Sequence, residues 1–492
     1  MIKETEPEKQ YSEFAKYSFY NYIGVFIGVF SNLFIYTTNE EFLGVVRYTE
    51  SLAFLIWPLI LMGASSSLIN FTPKLKQKSN VKLFSYSLFT VIRNSILIFL
   101  IIFLGIDLLS DFVKFEFIYF AFFLGLLLAA IDLIKKQLTI YQKIAFPSVL
   151  DNLFPKLVLP GIFILLYYNF IEANNSGLRL YVISYLFILT ALFFYALKRK
   201  SIAFTIRIKS VFTNFSKKEY RNYSFFALAG SLGYMFVFKL DSLMIPNLIS
   251  YKANGVYSIA AVAASVIFIP ARGLFSLYAP QVSKMITDGH FESLNKLYKD
   301  VAKMLLFLGL LIYSAIFLGI ENLFQLMPSK DLLMQTVSVI FIIGATSVFN
   351  MATGFNSEII NYSKFYKFNI IALGVLTILN LFANYYFIMI FDLGIHGAAL
   401  ASFLSIVFFN LLKVGFIYFR LGLFPFEINF FKLLILQIFL ILVFYFIPNF
   451  SSPILNFLFK VSGVLSSQLF FIYRFKWLSP LNTFIDKYVF NK

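Results

Sequence analysis

Residues Tyr223 to Pro280 read YSFFALAGSLGYMFVFKLDSLMIPNLISYKANGVYSIAAVAASVIFIPARGLFSLYAP. Two long apolar runs are separated by a short polar break at Asn247–Asn254. Lys239 and Asp241 stand well inside the first run, and Arg272 stands in the second. A helix rises 1.5 Å per residue, so about 20 apolar residues cross a bilayer core. A charged side chain at that depth costs at least about 2.5–3.5 kcal/mol on insertion scales. Three such charges need a reason, and the expectation is a water-filled cavity between bundles of membrane helices.

The same pattern repeats outward in both directions. The chain of 492 residues is 60% hydrophobic and 13% charged, with a mean hydropathy of +0.82, which soluble globular proteins do not show. The runs are continuous, whereas a membrane β-barrel would alternate in short segments. The fold class expected is therefore an all-α polytopic membrane protein. Segmentation gives about fourteen spans, near 16–37, 49–71, 84–106, 112–133, 145–170, 178–197, 222–247, 255–278, 301–320, 332–354, 366–390, 395–418, 430–448 and 453–473. The expected domains are a tail at 1–15, an N-lobe of six spans at 16–200 and a linker at 201–221. A C-lobe of six spans at 222–420 follows, then two extra spans and a tail at 421–492.

Charge placement fixes an orientation. Basic residues cluster in alternate loops, for example Lys74, Lys76, Lys78 and Lys82, or Lys198, Arg199 and Lys200. The opposite loops hold Arg47, Lys114, Arg179, Lys252 and Lys330. By the positive-inside rule the richer side is cytosolic, and an even number of spans puts both termini there. The net charge of +17 follows from these flanks, so nucleic acid is not an expected partner. Lys200–Phe215 alternates basic and apolar residues and is expected to lie along the cytosolic lipid surface, or else to be a solvated linker. Gly289–Lys303 has a similar amphipathic spacing through Phe291, Leu294, Leu297 and Tyr298.

Two segments resemble each other. Gly44-Val-Val-Arg…Trp57-Pro58…Phe71-Thr72-Pro73 and Gly255-Val-Tyr-Ser…Ile269-Pro270…Ala279-Pro280 each form the second span of a six-span block. Six spans intervene, so the repeat is parallel, related by an axis along the membrane normal.

Asn39-Glu-Glu-Phe-Leu-Gly44, Trp57-Pro58, Leu61-Met-Gly63 and Phe71-Thr-Pro73-Lys resemble the second helix of Wzx-type polysaccharide flippases. Asp241-Ser-Leu-Met-Ile, Asn254-Gly-Val-Tyr-Ser-Ile-Ala-Ala and Asn380…Asn384…Gly394-Ile-His-Gly-Ala-Ala-Leu-Ala-Ser extend the resemblance along the chain. The family belongs to a superfamily with MATE-type multidrug exporters and lipid II flippases. The resemblance implies two six-helix lobes around a central cavity, with two extra C-terminal spans. It also implies movement of a polyprenyl-pyrophosphate-linked oligosaccharide from the cytosolic to the outer leaflet of a bacterial inner membrane, supporting surface polysaccharide biosynthesis. A cation-coupled multidrug exporter and a lipid II flippase are the alternatives.

A diphosphate crossing the bilayer needs fixed cations, and arginine forks or lysine point charges supply them. The candidates for pyrophosphate are Arg93, Arg272, Lys239 and Lys156, with Asp241 as a coupling or cavity-lining acid. Asn32, Asn94, Asn350 and Asn380 are the candidates for saccharide contact. Asp132 is expected at the interface, Lys413 and Lys460 to snorkel, and Arg47 with Glu50 to form an exposed pair at the outer mouth. The chain lacks cysteine, and its two histidines lie about a hundred residues apart, so no metal site is expected. Short outer loops and the absence of a nucleotide-binding loop argue against an enzyme or an ATP-driven pump. No cofactor is expected; a Na+ or H+ gradient is the expected energy source. Lipid-linked oligosaccharide, membrane lipids and other polysaccharide assembly proteins are the expected partners.

Overall fold

Helices account for most of the chain in a computed structural model, which describes residues 23–75, 77–105, 117–141, 143, 145–172, 175–205, 211–212, 215–478 and 486. The tail at 1–15, the start of the first span, Asp111, Lys114, Arg207, Lys209 and most of the C-terminal tail lie outside the described residues. The chain forms two compact units, Met1–Gly255 and Val256–Lys492.

The first unit holds α1 (Ile23–Thr38), α2 (Glu40–Leu61), α3 (Ala64–Phe71) and α4 (Gln77–Leu104). It continues with α5 (Ile118–Ile140), α6 (Phe146–Tyr167), α7 (Asn175–Lys198) and α8 (Lys217–Leu248), and ends in the first turn of α9 (Tyr251–Ser265). The second unit holds the rest of α9, then α10 (Ile269–Thr287), α11 (Phe291–Phe324), α12 (Lys330–Ala352) and α13 (Asn356–Tyr362). It closes with α14 (Lys367–Tyr385), α15 (Gly394–Leu421), α16 (Ile428–Phe446) and α17 (Pro453–Phe475). There is no strand among the described residues.

Twelve of these helices are long and apolar enough to cross a membrane, and thirteen if the two arms of α8, bent by 52°, count as one span. The shorter apolar helix α1 corresponds to the first expected span. Three boundaries differ from the sequence reading. The span expected at 49–71 starts at Glu40, where Asn39 caps the helix by accepting from the Phe42 N–H, and breaks after Leu61. Acidic Glu40 and Glu41 in its first turn suit the positive end of the helix dipole. The span expected at 112–133 runs instead over Ile118–Ile140, so Lys135 and Lys136 are helical. The amphipathic segment before residue 303 is the start of α11, with Leu294 and Tyr298 fully buried.

The break in α2 has a local cause. Pro58 has no N–H to give the Phe54 carbonyl. Met62 and Gly63 then adopt left-handed backbone, with φ of 47° and 73°. A Cβ on Gly63 would lie 2.1 Å from the Ser224 carbonyl oxygen, so α8 passes too close for any other residue. Asn94 donates to the Ile60 carbonyl at 3.1 Å and Ser67 bonds Ser224 at 2.7 Å, which pins the broken end to α4 and α8.

The described part of the linker packs on the first unit. Ile202, Val211 and Phe215 are buried, the Thr205 N–H donates to Ser85, and Gln137 donates to the Ser201 carbonyl. In the second unit, α16 and α17 pack on α11 around Phe307, Leu310, Phe430, Leu433 and Ile472. Polar contacts fix the register of this apolar face. Gln437 donates to the Phe307 carbonyl, Ser314 bonds Gln468, and Lys303 pairs with Asp300 at 3.1 Å and Glu427 at 2.6 Å.

Candidate functional site

The first unit carries a buried charge cluster that opens into a cleft. Arg47 and Glu50 lie three residues apart on α2, the spacing that brings side chains onto one face. Arg47 Nη1 meets Glu50 Oε2 at 2.7 Å, and the Tyr181 hydroxyl from α7 donates to the other carboxylate oxygen. Tyr185, one turn along α7, bonds Tyr181 at 3.1 Å. Glu50 is 8% exposed, so Arg47 and Glu50 form an interior pair and not the expected exposed one. The pair is satisfied because its acid is bonded on both oxygens.

Lys239 is the third charge. Its ammonium lies 4.6 Å from the centroid of the Phe54 ring, one turn beyond Glu50 on α2, and its charge acts on Glu50. Among the described residues no carboxylate lies within ion-pair distance of Lys239. Arg47 already neutralises Glu50, so the cluster keeps about one net positive charge at the half-buried Lys239. Such a charge carries a desolvation cost that a bound anion would offset.

The cleft begins one turn away on both helices. Phe54 packs on Trp57 with centroids 5.7 Å apart, and Met235 lies one turn before Lys239 on α8. Trp57, Pro58, Gly63, Ser65, Ser66, Gly230, Ser231 and Tyr234 line a volume of about 420 Å³, with Asp132 and Lys136 from α5 at its wall. Asp132 is thus a cleft residue. Trp57 Nε1 is buried and, among the described residues, has no hydrogen-bond partner. An aromatic ring with an unused donor, beside hydroxyls, suits a ligand with both apolar faces and oxygen acceptors.

The remaining candidates fall elsewhere. Arg93 is exposed and its guanidinium donates twice to Asn94, at 3.0 and 3.2 Å, while Asn94 holds the end of α2. Lys156 is half-buried on α6, against Gly24 and Gly28 of α1. Asn32 is buried on α1, and Asp241 is half-buried on α8. Arg272 is exposed on α10 in the second unit. Asn380 donates to Ser402 at 3.1 Å, and Asn350 accepts from Asn410 at 3.0 Å. Lys413 and Lys460 do not snorkel. They are 2% and 7% exposed, with Lys413 donating to Ser357 and Lys460 to the Tyr445 carbonyl. Sequence reasoning missed Glu50, Tyr181 and Trp57 as site residues. The available signal was an Arg and a Glu three apart inside an apolar helix, where an exposed reading would have left both charges facing lipid.

No protein-family model matches the sequence. No curated protein matches it either. Among solved structures, the chain is similar to the lipid II flippase MurJ in an inward closed conformation, with a TM-score of 0.72 and 13% identity over 93% of this chain and 98% of that one. It is similar to an inward-facing multidrug resistance MATE family transporter of the MOP superfamily, with a TM-score of 0.60 and 14% identity over 82% of this chain and 94% of that one. An outward-facing MATE transporter gives a TM-score of 0.51 and 13% identity over 84% and 93% of the two chains. The chain therefore has the multi-pass helical fold that these flippase and transporter structures share.

Proposed function

We propose that the protein flips a polyprenyl-pyrophosphate-linked oligosaccharide across a bacterial inner membrane by alternating access, with both termini cytosolic, in support of surface polysaccharide assembly. The observation that carries this reading is Lys239, a half-buried cation on α8 with no ion-pair partner among the described residues. The diphosphate is the part of such a substrate least able to enter a bilayer, and Lys239 offers it a charge where the low dielectric strengthens the contact. The cleft beside it supplies the Trp57 donor, three serine hydroxyls and the Asp132–Lys136 wall for sugar hydroxyls. Arg93, Arg272, Lys156 and Asp241 remain candidates for further contact with the head group or for ion coupling.

The tail has a place in this reading as well. In the second unit, Leu306, Tyr313, Phe349, Phe430, Leu434 and Ile441 line an apolar groove of about 610 Å³. A polyprenyl chain needs such a surface, and α16 supplies much of one wall. An exporter of cationic drugs would need an available acid in its chamber. Here Glu50 is already bonded by Arg47 and Tyr181, and Asp132 is accompanied by Lys136 at the cleft wall, so neither acid stands without a cation beside it, which favours the anionic substrate.

The test is movement across proteoliposomes that contain only this protein. A fluorescent polyprenyl-pyrophosphate oligosaccharide, lipid II and a cationic dye are assayed in parallel. Oligosaccharide movement that falls on Lys239→Gln is expected. Dye efflux without movement of either lipid would overturn the proposal, and movement of lipid II alone would reassign the substrate within the lipid-linked class.

A further inference from the structure

A second polar cavity lies in the first unit, with no lining residue in common with the charge cluster or the cleft at Trp57. It has a volume of about 540 Å³ and is lined by Asn39, just before α2, and by Leu166, Asn169, Phe170, Ile171 and Glu172, at the end of α6. The chain leaves α6 in a fixed geometry. The Asn169 N–H donates to the Leu166 carbonyl at 3.0 Å, and the Phe170 N–H donates to the Leu165 carbonyl at 2.9 Å. These two bonds make a Schellman motif, whose left-handed position is usually glycine. Here it is Asn169, with φ of 58°. Asparagine tolerates that backbone better than most side chains do, so the turn is kept and an amide is added to the cavity wall.

The polar groups of this wall are not used up within the unit. The Asn39 carbonyl caps α2 by accepting from the Phe42 N–H, which leaves its NH2 group for another partner. Asn169 and Glu172 are exposed, and among the described residues neither side chain makes a hydrogen bond or an ion pair. The lining thus offers amide donors, an amide acceptor and a carboxylate, and it holds no cation.

Aromatic rings extend the wall. Phe170 is 74% exposed, although the residue at its place in a Schellman motif often packs back on the helix. The Tyr168 ring centroid lies 6.4 Å from that of Phe170, and the Tyr167 centroid lies 5.3 Å from that of Tyr168. Both tyrosines are exposed as well. Rings at a helix end can serve as anchors in the lipid interface. An anchor has no use for unspent amides and a carboxylate beside it, nor for asparagine where glycine is the easier residue. A phosphate or other anion would meet Glu172 with no lining cation to offset it. A sugar suits both halves of the wall. Its C–H faces carry slight positive charge and match the electron-rich face of an aromatic ring, while its hydroxyls both donate and accept.

We propose that this cavity is a binding site for a neutral saccharide, with one ring face on Phe170 and hydroxyls shared among Asn39, Asn169 and Glu172. Binding here does not depend on the transport reading. In the orientation proposed above, α6 ends on the outer side of the membrane, so within that reading the site takes sugar that has already crossed.

The test is saturation-transfer difference NMR on the full chain in lipid nanodiscs, with protein-free nanodiscs as the blank. The probes are cellotriose and triacetylchitotriose. Transfer to the sugar C–H protons is expected with the parent protein. Asn169→Gly keeps the left-handed turn, so its melting temperature should be unchanged or higher, yet its affinity should fall roughly two- to tenfold, as one lost hydrogen bond gives. Phe170→Ala should weaken binding by a similar factor. Trp57→Phe, in the separate cleft, should leave probe binding at the parent level. No transfer to either probe would overturn the site. Binding that falls in Trp57→Phe but not in Asn169→Gly would place the sugar in the cleft and overturn the site too. A Phe170→Ala protein that is less stable yet binds normally would make the rings interfacial anchors only. Binding at this cavity by a protein that moves no lipid-linked substrate would overturn the transport reading and leave the site standing, and transport without binding here would do the reverse.

Discussion

Gly44 and Gly255 meet backbone to backbone. A Cβ on Gly44 would lie 1.7 Å from the Tyr251 carbonyl oxygen and 3.0 Å from the Gly255 nitrogen, and a Cβ on Gly255 would lie 1.8 Å from the Glu40 carbonyl oxygen. Each glycine sits five residues after a capping side chain. Asn39 accepts from the Phe42 N–H, and Ser250 accepts from the Ala253 N–H. The two Gly-Val steps thus each follow a helix-capping side chain by five residues, and they pack against each other. Asn254 seals the crossing by donating to the Gly44 carbonyl at 2.9 Å.

Replacing either glycine by alanine forces the helix starts apart, since the blocking atoms are backbone and have nowhere to turn. The expected cost is at least the about 1–3 kcal/mol of an overpacked core. A lower melting temperature and lower yield in detergent are the readouts. Gly230, whose Cβ would meet nothing within 4 Å, is the control. If Gly44→Ala and Gly230→Ala melted alike, the close crossing would be wrong.

Glu50→Gln removes the acid that holds Arg47 in the interior. Breaking one partner of a buried pair leaves an uncompensated charge and costs about 3–5 kcal/mol. Tyr181→Phe removes one hydrogen bond to the same carboxylate and should cost about 1.5–3 kcal/mol. Equilibrium unfolding of the two variants should preserve that order. Adding Arg47→Met to Glu50→Gln should recover part of the loss, and a purely additive double variant would show that the two side chains do not form the pair described.

Much of the fold was legible because membrane spans are written in long apolar runs. Every expected span has a helical counterpart, and the Gly-Val steps at Gly44 and Gly255 each follow a capping side chain by five residues. The errors came where hydropathy stops being the governing quantity. α2 begins at Glu40, before its apolar run, because Asn39 caps it and because its polar residues face other helices. The polar face is also why Arg47 and Glu50 read as lying outside the membrane. Lys413 was expected to reach for the surface, yet Ser357 and the Phe409 ring satisfy it where it stands. Individual partners of this kind depend on which helices meet, which no single stretch of sequence states.

Trp57→Phe tests the cleft without emptying it. The ring contact with Phe54 persists, while the buried Nε1 donor, unpartnered among the described residues, is lost. Removing an unsatisfied donor should leave the melting temperature level or raise it. Transport of the lipid-linked oligosaccharide should show a raised KM with little change in maximal rate, the mark of an interaction made equally in ground and transition states. An unchanged KM would remove Trp57 from the saccharide site.

Lys239→Gln separates function from structure most sharply. A residue kept for folding makes the protein less stable when it is replaced. Lys239 has the opposite expectation, because it is a half-buried cation against the Phe54 face, with no ion-pair partner among the described residues. Taking away that charge relieves the burial penalty, the largest effect on Lys239, while the attraction of Glu50 is offset by Arg47, so Lys239→Gln should melt at the same temperature as the parent or higher. Transport should fall by an order of magnitude or more, since a hydrogen bond to a charged group is worth about 1.5–3 kcal/mol. Lys239→Arg keeps the charge but brings a fork in place of a point, and should recover part of the rate. A Gln variant that is less stable yet transports normally would mean that the charge serves the packing of α2 on α8, and that the diphosphate binds elsewhere.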